Sequence, residues 1–224
     1  MYRARWDVIN GKTVASVRVG MAREFFFADL DPDIEAAMSD ALQVLQRLTA
    51  GLRDIALAAS GQDQLRGAVR AAEAYAYHAE FLEKSPESYQ PETLRRLRAG
   101  ADVKTPAYIQ GRREVDLTRR TVGKAFETVD VIVTPTIALT QPLLADVTKD
   151  VSTSMAVSTR TIRNTSPFNV YGWPTISVPC GFTRSGLPIG LQISEPSGQD
   201  AVALQLAHAH EQATDWHRRR PPTR

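Results

Sequence analysis

Cysteine is almost missing: Cys180 is the only one in 224 residues, so no internal disulfide can form. No Cys/His cluster has the spacing of a structural zinc site, and neither a metal, a redox role nor any other cofactor is implied. No apolar run approaches the roughly 18 residues that span a bilayer, and no charged-then-apolar leader opens the chain. The reading is a cytoplasmic protein with no membrane partner. Charge of one sign is lacking too, since 27 basic side chains face 25 acidic ones for a net +2. No basic face with interleaved aromatics points to nucleic acid, and the terminal His217-Arg-Arg-Arg220 run reads as a solvated tail over 215–224. A Gly-x-Ser-x-Gly nucleophile elbow is absent, which removes the main signal of an α/β-hydrolase. What remains is an ordinary globular composition, 43% hydrophobic and 23% charged, long enough to bury a core as one compact unit over 1–224.

The apolar spacing predicts alternating strands and helices. Val14–Val19 alternates as a strand. Asp31-Pro32 then offers an N-cap with proline at the first helical position. Ile34, Ala37, Met38, Ala41, Leu42, Leu45 and Leu48 recur at three- and four-residue steps, with Gly51 as terminator, and Leu52–Leu57 is a second short strand. Strand, helix and strand at this spacing form a βαβ unit with a right-handed parallel crossover. Helices are expected over Gln64–Glu83, Glu92–Arg98 and Tyr108–Glu127, covering one face of a sheet. Asp130–Thr136 is an apolar strand stopped by proline, 137–152 a loop, and Met155–Ile162 helical. A closing helix over Asp200–Thr214 turns Ala201, Leu204, Leu206, Ala207 and Ala209 inward. The fold class is α/β, a mixed and mainly parallel sheet flanked by helices.

The most informative stretch is Ser166-Pro-Phe-Asn-Val-Tyr-Gly-Trp-Pro-Thr-Ile-Ser-Val-Pro-Cys-Gly181 with Gly186-Leu-Pro-Ile-Gly-Leu-Gln-Ile193. It reads as a loop, a buried strand, a tight turn through Arg184-Ser-Gly186 and a second strand, a hairpin at the edge of a site. These words resemble the C-terminal half of the amidase signature family, serine hydrolases of carboxylic amides. Arg18-Val-Gly-Met-Ala-Arg-Glu-Phe-Phe-Phe27 is similar to the family's "RIGVPREFF", and Asp130-Val-Ile-Val-Thr-Pro-Thr136 to its "FD-x-x-x-TPT". The resemblance implies an activity, hydrolysis of an amide to acid and ammonia. It also implies a catalytic lysine and two serines from Gly/Ser-rich segments upstream. This chain has no Ser-Ser and no Gly-Gly pair, so no catalytic residue is assigned, and the expectation is a truncated or split amidase, inactive alone.

The resemblance places Phe168, Asn169, Tyr171, Gly172 and Trp173 on the acyl-side wall of the substrate pocket; packing is the competing role for Trp173, and loop capping for Asn169. No carboxylate lies between Asp150 and Glu195, and Thr161, Ile162, Arg163 and Asn164 stand where relatives that amidate misacylated transfer RNA carry an acidic residue. A general amide hydrolase fits better than a piece of a tRNA-dependent amidotransferase. A non-catalytic binding module is the rival from another class. The implied partners are a small amide substrate, once an N-terminal half completes the site, and a catalytic fragment or a second copy of the chain. Other candidate chemistry reads as structural. Cys180 is a small buried hydrophobe at the end of an apolar strand, His78 a packed helix residue, and His208 and His210 two partly exposed histidines pointing apart on one helix. Lys12, Lys84, Lys104, Lys124 and Lys149 have no neighbouring serine pair.

Overall fold

The computed structural model describes residues 13–57, 63–148 and 150–220. Lys12, Lys149 and the last four residues of the basic tail lie outside that range. The chain divides into two compact units, one drawn from 1–57 with 123–224 and the other from 58–122.

The first unit is built on a five-stranded sheet. Strand β1, Val19–Met21, leads into the single turn α1, Arg23–Phe26, and the long helix α2, Pro32–Leu48. The Asp31 carboxylate accepts from the Asp33 amide at 3.0 Å, so the cap foreseen for α2 is in place. β2, Leu52–Asp54, runs parallel to β1 with Val19 opposite Leu52, completing the βαβ unit. The first strand starts later than its alternation predicts. The Val17 amide donates to the Val14 carbonyl, so residues 14–17 form a turn that buries both valines.

In the second unit, α3, Asp63–Lys84, packs against α5, Thr105–Val122, with α4, Pro91–Arg98, alongside α3. The expected third helix is cut at Val122, where Gly123–Glu127 tightens into a 3-10 turn. These helices pack on one another in a unit of their own.

The chain returns to the sheet as β3, Val131–Pro135, every residue buried. The stretch expected to be one loop contains the turn α6, Leu144–Val147, and the next helix begins early. α7, Val151–Ile162, starts where Asp150 accepts from the Thr153 amide at 2.8 Å. Hydrogen bonds from Ser152 and Thr153 hold the Asp150 carboxyl at about 2. Helix α8, Ser166–Tyr171, precedes the hairpin of β4, Thr175–Phe182, and β5, Pro188–Ser194. Gly186 turns the hairpin at φ 83°, a left-handed conformation that side chains resist. Helix α9, Asp200–Gln212, closes the unit.

The sheet order is β2-β1-β3-β5-β4, parallel from β2 to β3 and antiparallel from β3 to β4. The α/β class with a mixed sheet stands. β5 is the deeply buried member of the hairpin, whereas β4, expected to be buried, exposes Thr175 and Ser177 at its start and buries Val178, Cys180 and Gly181 further on. The core joins Val19, Val131, Val133, Leu191 and Ile193 of the sheet to Ile34, Met38 and Leu45 of α2 and Leu206 of α9.

The inward face of α9 differs from the expected one. Ala203, Leu206, Ala207 and His210 are buried, while Leu204 is 39% exposed. Those four positions keep helical spacing. The expectation failed because it treated the histidine as a surface residue.

Candidate functional site

The lead-in to the hairpin is helical rather than a loop, because Pro167 fits the first turn of α8 and Gly172 ends it. Gly172 sits at φ 72°, and the amides of Gly172 and Trp173 both return to the Phe168 carbonyl, at 2.9 and 3.3 Å. Only glycine takes that left-handed position without strain. The reversal carries Trp173 back over its own helix.

The five candidate residues divide in two. Phe168, Tyr171 and Trp173 are buried, and their rings form a continuous stack. Tyr171 lies 4.9 Å from Trp173, Phe168 lies 5.2 Å from Phe26, and Phe126 meets the far side of Trp173 edge-on at 4.6 Å. Asn169 and Gly172 face solvent.

Beneath the stack lies a polar hub that the sequence reading did not single out. Asn164 is fully buried, and its amide donates to the carbonyls of Phe26 and Pro135 at 3.0 and 2.9 Å. Gln192 of β5 donates to Thr134 at 2.9 Å and to the Asn164 carbonyl at 3.1 Å. Arg163 donates to the Ala28 carbonyl at 2.6 Å. One asparagine thereby fastens the segment after β1, the end of β3 and the entry to α8. Its one sequence signal is its place just ahead of the Pro-Phe-Asn words. The hub sits at the carboxyl ends of the parallel strands β1 and β3, where open α/β sheets bind ligands.

The remaining candidates settle as structural groups. Cys180 is buried, and desolvation pushes its thiol up to about 12, so it supplies no thiolate near neutral pH. The His78 ring bonds the Tyr89 hydroxyl at 2.9 Å. His210 is fully buried, which corrects its expected partial exposure. A concavity of about 920 Å³ lies apart from the five candidates, bordered by Met21, Arg23, Phe27, Met38 and Leu42. Among the described residues no helix is long and apolar enough to cross a membrane, and no three His, Cys, Asp or Glu side chains gather as metal ligands.

With this geometry in place, comparison with known proteins is direct. Residues 5–204 match the family model described as Amidase. An amidase of Pseudomonas putida is 31% identical over 214 residues, covering 94% of this chain and 46% of the relative. A component of the glutamyl-tRNA(Gln) amidotransferase of Myxococcus xanthus is 29% identical, covering 93% of this chain and 47% of its own length. A crystal structure of an amidase superposes with a TM-score of 0.77 at 25% identity, over 92% of this chain and 47% of that one. The chain spans about half the length of the relatives it matches.

Proposed function

The chain belongs to the amidase family, and from that we propose that it supplies the C-terminal half of an enzyme that hydrolyses a carboxylic amide to acid and ammonia. The observation that carries the reading is the site built after β1 and β3: the Asn164 hub holds α8 so that Phe168, Tyr171 and Trp173 stack as one rigid surface. In this reading that surface is the acyl-side wall of the pocket, with Asn169 and Gly172 at its open edge. No cofactor takes part.

The nucleophile and its base come from a segment bearing a lysine and paired serines, which these 224 residues do not contain. These residues therefore act on the substrate by shape: a stiff aromatic wall selects the acyl group and keeps water from the bond to be broken. A general amide hydrolase is favoured over a component of a transfer-RNA amidotransferase because positions 161–164 hold no carboxylate. Arg163 there is bound to a backbone carbonyl and Asn164 is buried.

A serine-directed covalent reagent tests the assignment. The purified 224-residue chain should remain unlabelled and should show no amide turnover above an empty-vector control. A labelled serine within these residues, with turnover lost in parallel, would overturn the division of roles.

A further inference from the structure

The concavity of about 920 Å³ is a groove along the outer side of α2, walled by the segment after β1, with Met21 of β1 and Leu52 of β2 at its base. Its floor is apolar. Phe27, Leu30, Leu42 and Leu52 pack against the core and keep part of their surface open to the groove. Its rim on α2 is polar and exposed, with Glu35, Ser39, Gln43, Gln46 and Arg47 in order along the helix. Positions 35, 39, 42 and 46 recur at three- and four-residue steps, so one stripe of α2 faces the groove while Ile34, Ala37, Ala41 and Leu45 face the core. None of residues 168–173 borders it.

Charge is ordered along this groove. α2 starts at the carboxyl end of β1 and runs back toward the start of β2, so Glu24 and Glu35 stand at one end and Arg47 at the other. Along the helix Glu35 and Arg47 are about 18 Å apart, at 1.5 Å per residue. Arg23, the other cation on the rim, is already held by the Asp54 carboxylate at 2.8 Å. Among the described residues Glu24, Glu35 and Arg47 make no ion pair. A surface acidic at one end and basic at the other is complementary to itself when turned about a two-fold axis. Antiparallel α2 helices related by an axis beside Leu42 set Glu35 opposite the partner's Arg47 and Ser39 opposite the partner's Gln43. The two Leu42 side chains then meet near the axis, and no like charges face each other on α2.

We propose that this groove is where a second copy of the chain docks, α2 against α2 in antiparallel order. Covering the half-buried Phe27, Leu30, Leu42 and Leu52 drives the association, and the pairs between Glu35 and the partner's Arg47 at both ends set its register. The residues bordering the groove are fewer than the roughly 20–30 a side of a standard interface, so the pairing belongs to the weak, concentration-dependent class, with Kd of about 10–100 μM. It holds whatever segment supplies the nucleophile of the amide hydrolase.

Sedimentation velocity of the whole chain, from about 5 to about 200 μM, tests the proposal. The samples are wild type, Glu35→Arg, Arg47→Glu, the variant carrying both changes, and an equimolar mixture of the two single variants. Wild type should pass from monomer to dimer across this range. Each single variant sets like charges opposite each other at both ends and should dimerise about tenfold or more weakly. The mixture and the double variant bring opposite charges back together, and each should dimerise at least about fivefold more tightly than either single variant. Both substitutions also oppose the helix dipole, and a thermal melt reads that loss. The double variant carries both losses, so its regained dimer separates the interface from a folding defect. A wild-type chain still monomeric at the top concentration, a dimer untouched by either single variant, or a mixture as weak as its components would each overturn the proposal. Uptake of an amidase segment carrying the lysine and paired serines by a monomeric chain, blocked by Glu35→Arg, would overturn it too and give the groove to that segment.

Discussion

Two buried side chains give the protein opposite responses to pH. Glu195 is fully buried; its Oε2 accepts from the Ala203 amide at 2.8 Å, capping α9, while Oε1 has no partner among the described residues. Burial raises its carboxyl from 4.5 to about 7. Because the folded value is raised, the folded chain holds a proton that the unfolded chain releases. Its contribution is therefore complete below about 4.5 and is lost as pH rises through 7. Glu195→Gln keeps an acceptor for Ala203 and removes the titration, so its melting temperature should gain on wild type from pH 5 to pH 8. Parallel curves would contradict the assignment. His210, lowered from 6.5 to about 4, acts in reverse: its contribution is complete above 6.5 and lost as pH falls toward 4. Trp173 belongs to the same scale. Trp173→Ala breaks the ring stack and should cost about 3–5 kcal/mol in a denaturant melt. In an enzyme completed by its nucleophile-bearing segment, the same change should shift kcat/KM between small and bulky amides by roughly tenfold. Unchanged relative rates in a folded variant would make Trp173 a packing residue only.

At the scale of elements, the caps carry testable weight. Asp31→Ala removes the acceptor at the start of α2 and should lower stability by about 1 kcal/mol, read from the shift of a urea midpoint. Gly172→Ala forces a side chain into the left-handed region at φ 72° and should cost roughly 1–2 kcal/mol. The elements were readable where local rules and tertiary demands agree. α2 carried its cap, proline and apolar stripe in plain view, and β3 and the hairpin were equally legible. The sequence misled where a local pattern served another geometry. The valines of 14–17 fit a strand by alternation and a turn by spacing, and only the backbone bond from Val17 to Val14 distinguishes them. α8 looked like a loop because proline and glycine punctuate it, yet here they begin and end a single helix. The polar hub was legible only as the place of Asn164 just ahead of the Pro-Phe-Asn words, since nothing about a lone asparagine shows that Phe26 and Pro135, 138 and 29 residues away, will turn their carbonyls toward it.

At the scale of the molecule, among the described residues the sheet ends in β2 on one side and β4 on the other, and large apolar side chains stand in water, Leu143 and Leu144 at 72% and 77% exposure. Open strand edges and apolar surface favour association, so the isolated chain should be oligomeric by light scattering. A monodisperse monomer with a sharp cooperative melt would favour a self-sufficient binding module. The central claim is that these residues are the substrate-selecting half of an amide hydrolase, and ammonia release tests it most directly. The chain is assayed alone, and then fused or co-expressed with an amidase segment carrying the lysine and paired serines, against acetamide and benzamide. The account predicts no release from the chain alone and release from the combination. Ammonia released by the chain alone, or an inert combination whose two parts fold and associate, would contradict it.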